Sequence, residues 1–445
     1  MHNSFGVSKI LKFIWNFAHL FVSLQAKVLM TMEQGNREEQ ILVRITGQDR
    51  PGLTASVMGI LAKYDAQILD IGQADIHSTL SLGILIRMDE MHSGQVMKEL
   101  LFKATELGVQ IGFSPIGDDE YEDWVGHQGK NRYILMVMGR QLEARQIEAA
   151  TSVIAEQGLN IDSIIRLTGR KSIKNPAKHT RACIEFSLRG EPRDRKEMQS
   201  KLMRLSSEMG IDFSFQRDDM FRRMRRLICF DMDSTLIQTE CIDELAERNG
   251  VGAEVRAITE SAMRGEIDFK ESFTRRVALL KGLDVSVMQD IAEHLPITEG
   301  VDRLMTILKR CGYKIAILSG GFTYFGEYLQ RRYGIDYVYA NELEIDEDGK
   351  LTGRYVGEIV DGHRKAELLK LIAQVEKVNL AQTIAVGDGA NDLPMISEAG
   401  LGIAFHAKPR VVANAKQSIN TIGLDGVLYF LGFKDSYLGD QGKLQ

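Results

Sequence analysis

The sequence predicts an α/β protein in which a parallel-sheet domain with a helical insertion follows two copies of a smaller α+β module. Three observations lead to this prediction. Strongly apolar runs in the second half of the chain each stop at acidic or hydroxyl residues. A β-α-β-β-α pattern occurs twice in the first half, at a spacing of roughly 90 residues. Residues 241–297 carry a helical pattern of apolar positions and no strand pattern.

The composition limits the possible functions. The chain has 445 residues, enough for about three domains. It contains 55 Lys and Arg residues against 61 Asp and Glu residues, so its formal net charge is −6. A mixed surface without a basic excess argues against a nucleic-acid partner. The four cysteines form no C-x-x-C pair, which argues against a disulfide framework and a thiolate zinc site. We therefore expect a globular, cytoplasmic protein.

Residues 1–39 are interpreted as an N-terminal extension without a role in the fold. An apolar stretch over residues 10–24 follows Lys9, as in a secretory signal, but polar residues interrupt it and no small-residue cleavage site follows. It is also shorter than the ~20 apolar residues that span a bilayer, so we expect no membrane association. Translation of the functional protein could instead begin at Met30 or Met32.

Residues 40–116 and 131–217 are predicted to form two similar α+β modules with a ferredoxin-like order of elements. In the first, a strand over 41–46 is followed by a turn and a helix. Asp49 is expected to cap this helix, with Pro51 in its first turn. The apolar positions of the helix are Leu53, Val57, Ile60 and Leu61.

The turn between this strand and helix resembles the ACT family of small amino-acid-sensing domains. Its residues are Asp49, Arg50, Pro51 and Gly52. The resemblance implies that the turn binds an amino-acid effector such as L-serine and that the chain forms a homodimer through its sheets. Backbone N–H groups at the helix start could face a carboxylate there, but a tight turn without a ligand uses the same residue types. The second module has residues 139–142 at this place, with a different sequence, so a second ligand site is in doubt.

A basic segment, residues 222–226, connects the second module to the rest of the chain. Asp218 and Asp219 precede it, and the remaining sequence has no basic excess. We therefore interpret the segment as a solvated linker and not as a nucleic-acid site.

Three apolar runs of the predicted parallel sheet end in residues that carry chemistry. The three junctions are residues 227–235, 314–321 and 383–392, which contain D-x-D-S-T, S-G-G and G-D-G-x-N-D. Lys365 lies between the last two, at the start of a predicted helix. Because parallel strands bring their carboxyl ends to one edge of a sheet, these side chains are expected to lie close together.

In this order, the four motifs resemble the haloacid dehalogenase superfamily, most closely its phosphoserine phosphatases. The resemblance covers residues 225–432, and residues 241–297 would form a helical cap. It implies a Rossmann-like core that hydrolyses O-phospho-L-serine to L-serine and phosphate through an aspartyl phosphate, with Mg²⁺ as cofactor. This reaction is the last step of L-serine biosynthesis.

The chemistry explains the residue types. A carboxylate that attacks a phosphate dianion meets like charge, so a divalent cation and a lysine have to neutralise the phosphoryl oxygens. We expect Asp231 to be the nucleophile and Asp233 to be the general acid and base. The expected phosphate ligands are Ser319, Gly320, Lys365 and Asn391. The expected Mg²⁺ ligands are Asp231, Asp388 and the backbone carbonyl of Asp233, with Asp392 orienting the waters of the metal.

The cap would select the substrate. By resemblance, Glu240 receives the substrate ammonium, Arg276 receives the carboxylate and Phe269 contacts the serine backbone. Arginine suits this role because its planar guanidinium binds a carboxylate through two hydrogen bonds. Each residue also has a plain structural interpretation. Glu240 could be a helix-start carboxylate, Arg276 a surface cation and Phe269 a core aromatic.

Two other functions stay open. A phosphatase with the same chemistry could act on another small phosphomonoester. Alternatively, the chain could be a regulatory amino-acid-binding protein whose catalytic half is vestigial, although every expected catalytic position is filled.

Overall fold

The computed structural model describes most of the chain in two compact units. The described residues are 37–126, 131–170, 172, 174, 180–415 and 417–437. One unit lies within residues 1–129 and the other within residues 130–445. The apolar stretch of the predicted N-terminal extension is outside the described residues. Within the part of the chain that the structure describes, no helix has the length and apolar character needed to cross a membrane.

In the first unit, the described residues form a four-stranded antiparallel sheet. The strands are β1 (Glu38–Gln48), β2 (Gln67–Ile76), β3 (Thr79–Asp89) and β4 (Gln110–Ile116). The helices are α1 (Leu53–Ala62), α2 (Glu90–Leu107) and α3 (Asp118–Gly126). The strand order is β2-β3-β1-β4. Alternate residues of β1 and β3 join the apolar residues of α1 and α2 in one core, as a sheet with one covered face requires.

The predicted helix after β1 is confirmed, but its start is different. The four predicted apolar positions are the buried residues of α1. The residue before the helix is Gly52, which has a φ of 88°, and no side chain caps the helix. The expectation that Asp49 is the cap and that Pro51 lies in the first turn is therefore wrong. Glycine adopts this left-handed conformation without the steric penalty of a Cβ atom, so the turn needs no side-chain cap to reverse the chain.

Helix α3 was not predicted from the sequence. It lies in the acidic stretch that separates the two modules, and none of its residues is buried. Its rings, Tyr121 and Trp124, are only 5.9 Å apart between centroids. The low hydrophobicity of the segment hid its helical spacing, because the periodicity signal depends on a buried apolar face.

The second unit begins with a repeat of the first module's order. Its strands are β5 (Arg132–Gly139), β6 (Asn160–Arg166), β7 (Ala182–Arg189) and β8 (Asp212–Arg217). Its helices are α4 (Ala144–Glu156) and α5 (Arg195–Met209). The strands pair in the order β8-β5-β7-β6, which matches the order of the first module.

The rest of the second unit is an α/β domain. Its strands are β9 (Leu227–Phe230), β10 (Lys314–Phe322), β11 (Tyr337–Ile345), β12 (Leu351–Val356), β13 (Thr383–Gly387), β14 (Leu401–Phe405) and β15 (Gln417–Ile419). Helices α6 (Cys241–Arg248), α7 (Gly252–Met263), α8 (Phe269–Ala278) and α9 (Ser286–Glu293) form the cap. The later helices are α10 (Val301–Arg310), α11 (Thr323–Tyr333), α12 (Gly362–Val375), α13 (Leu393–Glu398), α14 (Pro409–Asn414) and α15 (Val427–Phe430). Short 3₁₀ helices lie at Met220–Arg223, Leu380–Gln382, Ala390–Asp392, Leu424–Gly426 and Asp435–Tyr437.

The second module and the α/β domain share one sheet. Over the described residues of this unit, 11 strands follow the order β12-β11-β10-β9-β13-β14-β15-β8-β5-β7-β6. The two parts join where β8 pairs antiparallel with β15, at Ser214 and Gln417. Beside this pair, the buried Asp212 carboxylate accepts hydrogen bonds from the backbone N–H groups of Asn420 (2.8 Å) and Thr421 (3.0 Å). The second module is therefore a continuation of the α/β domain's sheet.

The basic segment 222–226 differs from the predicted solvated linker. Arg222 is 1% exposed and Arg225 is 6% exposed. Arg222 forms an ion pair with Glu185 of β7, and Arg225 donates a hydrogen bond to the Ala381 carbonyl at 3.2 Å. Burial lowers the pKa of Arg225 to about 10. The linker prediction failed because buried and exposed arginines alternate in this short segment, and in the sequence they look like a continuous run of charge.

Candidate active site

Three neighbouring strands bring the candidate residues to one edge of the sheet. β9 pairs in parallel with β10 on one side and with β13 on the other. Asp231 directly follows β9, Ser319 lies near the end of β10, and Asp388 directly follows β13. All four residues of β9 are buried, as expected for a strand covered by helices on both faces. The predicted convergence of the strand ends is confirmed.

One buried lysine connects the acidic residues. Lys365, on the first turn of α12, is 0% exposed. Its Nζ atom lies 2.8 Å from Asp231 Oδ1 and 2.7 Å from Asp392 Oδ1. Carboxylate oxygens of Asp231, Asp388 and Asp392 lie within 4.8 Å of one another. Three carboxylates thus lie close together, a single ammonium group contacts two of them, and the cluster carries excess negative charge.

The pKa values of the clustered groups follow from their burial and from this excess of negative charge. Burial, followed by repulsion from Asp231 and Asp392, raises the pKa of Asp388 to about 8. Burial and Asp231 together raise the pKa of Asp392 to about 6. Burial disfavours the charged form of Lys365, but attraction to Asp231 and Asp392 outweighs it and raises the lysine pKa. A divalent cation would relieve this repulsion, and a donor set made of oxygen atoms fits Mg²⁺.

Asp233 lies beside this cluster, two residues beyond Asp231. Its Oδ1 atom accepts a long hydrogen bond (3.4 Å) from the backbone N–H of Cys241, at the start of α6. Burial, Glu240 and Asp231, in that order, raise its pKa well above the ordinary value. A Cβ atom at Gly321 would collide with the Asp233 carboxylate, so the end of β10 can lie against Asp233 only if this residue is glycine. Asp233 therefore contacts the first connection to the cap and the end of β10, which contains Ser319.

The loop after β13 is equally tight. A Cβ atom at Gly387 would collide with the Asp392 carboxylate. The second oxygen of Asp392 accepts a hydrogen bond from the backbone N–H of Gly389 at 2.9 Å. Asn391 is partly exposed on the same turn, and its backbone lies against Gly362 at the start of α12. These contacts fix Asp392 beside Lys365.

The cap contributes opposite charges near the acidic cluster. The Ser234 hydroxyl donates a hydrogen bond to Glu240 Oε1 at 2.8 Å. Arg276 lies on α8, and its Nε atom donates a long hydrogen bond (3.4 Å) to the Ser272 carbonyl. Burial lowers the pKa of Arg276, while the nearby carboxylates of Glu240 and Asp243 oppose the change. Glu240 and Arg276 are thus close enough to interact electrostatically.

Phe269 closes the site from the cap side. Its ring lies against Gly320, where an added Cβ atom would be 3.2 Å from Phe269 Cζ. It stacks on Phe273, with ring centroids 6.3 Å apart, and Phe273 is buried in the core of the cap. The buried Phe273 therefore supports the partly exposed Phe269, which faces the end of β10.

Asn341 is a site residue that the sequence analysis missed. It lies on β11 and is 2% exposed. Its Nδ2 atom donates to the Gly320 carbonyl at 2.9 Å, and its Oδ1 atom accepts from the Val360 N–H at 2.8 Å. The sequence signal that could have identified it is an asparagine within a run of strand-forming residues. Asn341 holds the backbone of Gly320 in place, since a buried amide with both ends paired has one orientation.

The predicted effector loop in the first unit is exposed. All four residues, Asp49, Arg50, Pro51 and Gly52, are exposed. The backbone N–H of Asp49 donates to the Ser78 carbonyl at 2.9 Å, which fixes the loop to the turn between β2 and β3. A cavity of about 370 Å³ in the same unit is lined elsewhere, by residues of the sheet and α3 that include Gly72, Gly83 and Trp124. The structure does not bring the loop and this cavity together.

Family comparisons agree with this arrangement. ACT domain models match residues 39–114 and 132–216, and the haloacid dehalogenase-like hydrolase model matches residues 225–400. The phosphoserine phosphatase of Streptomyces coelicolor is 39% identical over 405 residues, which are 91% of this chain and 94% of that protein. The chain belongs to the phosphoserine phosphatase family. The resemblance inferred from the four motifs, the α/β fold class and the presence of ACT domains are thereby confirmed.

Two other relatives cover different shares of the chain. A phosphoserine phosphatase of Mycobacterium tuberculosis is 36% identical over 394 residues, 88% of this chain and 93% of that protein. The solved structure of a probable phosphoserine phosphatase from Vibrio cholerae, in unliganded form, has a TM-score of 0.53 and 36% identity. It covers 67% of this chain and 86% of that one. The similarity to the first two proteins extends over the ACT part and the hydrolase part together.

The buried lysine should be essential for stability. In Lys365→Met, Asp231 and Asp392 lose their shared cation inside the protein, and we expect the free energy of unfolding to fall by about 3–5 kcal/mol. Urea denaturation at pH 7 in the presence of EDTA measures this loss. The control is Lys370→Met on the same helix, which removes an exposed ion pair with Glu398 and should cost less than about 1 kcal/mol. Equal stability of the two variants would contradict the assigned role of Lys365.

Proposed function

We propose that the chain hydrolyses O-phospho-L-serine to L-serine and phosphate, the last step of L-serine biosynthesis. The observation that carries the proposal is the contact of one buried ammonium, Lys365 Nζ, with Asp231, which follows β9, and Asp392, which follows β13. The electrostatic interactions of Glu240 and Arg276 with each other and with Asp231 and Asp233 support an amino-acid phosphate as the substrate. A cytoplasmic location and a homodimer stay predictions.

Asp231 is the nucleophile. Its carboxylate oxygen forms a bond to phosphorus while the bond between phosphorus and the serine oxygen breaks, which gives an aspartyl phosphate. Asp233 donates a proton to the departing serine oxygen. It then takes a proton from the water that attacks the phosphorus, and the phosphate leaves with restoration of the Asp231 carboxylate. One carboxyl group can serve both steps because the proton it gives in the first returns in the second.

Mg²⁺ is the proposed cofactor. Asp231, Asp388 and the backbone carbonyl of Asp233 would hold it, and Asp392 would orient its waters. When bound, the ion neutralises the phosphoryl oxygens and the charge of the cluster. The carboxylate cluster and its raised pKa values support this assignment, since the protein alone leaves negative charge uncompensated there.

The phosphoryl group would lie between four proposed ligands. Ser319 offers its hydroxyl, Gly320 its backbone N–H and Lys365 its ammonium group. Ser319 is fully buried, and its Oγ atom accepts a hydrogen bond from the Gly321 N–H at 2.9 Å, which leaves its proton free for a phosphoryl oxygen. Asn391 is the fourth proposed ligand, from the loop after β13. These groups are preorganised by their own protein contacts, so they need little rearrangement when charge develops.

The cap recognises the amino-acid part of the substrate. Glu240 binds the ammonium group, Arg276 binds the carboxylate, and Phe269 packs on the serine backbone. The two charged cap residues match a zwitterion, whereas a phosphomonoester without these groups would use the phosphate ligands alone. Closure of the cap over the site would also exclude bulk water.

Trapping the intermediate tests the proposed function. Acid quenching during turnover of radiolabelled O-phospho-L-serine with Mg²⁺ should leave label on the wild-type protein, because aspartyl phosphates survive in acid long enough to be isolated. Asp231→Asn should carry no label, whereas Asp290→Asn, a cap-surface variant, should be labelled normally. Chelation by EDTA should prevent labelling. Label on Asp231→Asn, or full turnover in EDTA, would exclude this mechanism.

Substrate selection has a separate test. Arg276→Ala should raise KM for O-phospho-L-serine about tenfold or more, because a charge-assisted contact to the substrate carboxylate is lost. KM for p-nitrophenyl phosphate, which has no carboxylate, should change little. Arg275→Ala is the matched control, since this neighbouring arginine pairs with Glu271 on the cap surface. Equal effects of Arg276→Ala on both substrates would show that Arg276 does not recognise the amino-acid part of the substrate.

We also propose that the Asp49–Gly52 loop binds an amino-acid effector, with L-serine as the candidate. Gly52→Ala should abolish any effect of added L-serine on turnover, because a left-handed φ of 88° is unfavourable for alanine and the loop would rearrange. Gly59→Ala, on α1 with open space around it, is the control and should retain the effect. If both variants respond to L-serine like the wild type, the effect is product inhibition at the catalytic site.

A further inference from the structure

The loop of the second module that corresponds to the effector loop has a different partner. It follows β5 and contains Arg140. The two terminal nitrogens of Arg140 each lie 2.6 Å from an oxygen of Glu299, an arrangement with two parallel hydrogen bonds. Arg140 is thus a residue of the ACT module that holds a residue of the catalytic domain.

Glu299 lies at the end of the connection that returns from the cap. This return connection, residues 294–300, runs beside the outgoing connection, residues 235–240, and the two are hydrogen-bonded. The Gln238 N–H donates to the Pro296 carbonyl at 2.8 Å, and the Thr298 N–H donates to the Leu236 carbonyl at 3.0 Å. Any movement of the cap relative to the sheet has to bend this pair of segments.

The outgoing connection is also the loop of the nucleophile. The Leu236 N–H donates to the carbonyl of Met232 at 2.8 Å, and Met232 lies between Asp231 and Asp233. A short chain of contacts therefore leads from Arg140 through Glu299, Thr298 and Leu236 to the two aspartates. Each step is a hydrogen bond or a peptide bond.

A second arginine of the same module reinforces this region. Arg181, just before β7, lies 2.8 Å from Asp425, whose side chain is 2% exposed. Asp425 also binds Arg303 of α10 at 2.8 Å. The Leu424 N–H donates to the Glu299 carbonyl at 2.7 Å, so this buried charge cluster and the return connection touch. The return connection that Arg140 holds is therefore also held by this charge cluster.

We infer that Arg140 is a positioning residue for the proposed reaction. By holding Glu299 it fixes the return connection of the cap and, through Leu236, the loop of Asp231 and Asp233. The Arg140 and Glu299 side chains are 40% and 31% exposed, so the pair contributes little to overall stability. The pair instead restrains the return connection locally. The second module thus serves as a support for the cap, and the kinetic part of this inference rests on the proposed function.

Hydrogen exchange of the full-length protein tests the restraint without reference to activity. Arg140→Met keeps the aliphatic stem and removes the charge. We expect the amides of residues 232–240 and 294–300 to exchange about fivefold faster, because local opening becomes easier, while β14 is unchanged. Arg145→Met is the matched control, since Arg145 lies in the same module and pairs with Glu143 within it. Unchanged exchange in both segments would overturn the inference.

Kinetics then separate positioning from mere structure. Arg140→Met and Glu299→Gln should each raise KM for O-phospho-L-serine about fivefold, the double variant should be no worse than either, and Arg140→Lys should recover part of the loss. KM for p-nitrophenyl phosphate, which lacks the amino-acid groups that the cap binds, should be unaffected, whereas kcat should fall for both substrates because the loop of Asp231 and Asp233 is less restrained. A lower melting temperature with normal KM and normal exchange would show a structural role alone. If the wild type itself does not hydrolyse O-phospho-L-serine, the proposed function fails, and the exchange experiment still decides the positioning.

Discussion

Burial of one ammonium group between two carboxylates constrains the catalytic half of this chain. Lys365 comes from α12, whereas Asp231 and Asp392 follow two different strands, so the three can meet only if β9, β13 and the helix are in register. The charges cannot be left apart inside the protein, because an unpaired buried ion costs several kcal/mol. Glycine is then required at positions 321 and 387, at the ends of β10 and β13, since any side chain there would displace the carboxylates.

The same constraint explains why the site can bind a cation and an anion together. Lys365 satisfies two of the carboxylates, and Asp388 remains with a strongly raised pKa. The proposed Mg²⁺ and phosphate would complete the charge balance that the protein begins. A site arranged in this way binds its ligands with groups that are already in position, which is the physical basis of electrostatic catalysis.

Much of this arrangement could be predicted from the sequence, because strand ends and glycine turns have local signatures. The strand ends at Asp231, Ser319 and Asp388 were predicted from apolar runs of strand length. Asn341 was missed because its role depends on a neighbour in space, the Gly320 carbonyl, and not on a sequence neighbour. The burial of Arg222 was missed for the same reason, since its partner Glu185 belongs to the preceding module. Pairings between distant segments leave no periodic pattern in a single sequence.

The shared sheet has a further consequence for the boundary between the modules. Pairing of β8 with β15 leaves neither as a free edge, and Asp212 satisfies two backbone amides just beyond β15. A shortened chain that kept only the hydrolase part would uncover this edge, with its unpaired N–H and C=O groups open to edge-to-edge association. The second ACT module therefore also protects the catalytic sheet from self-assembly.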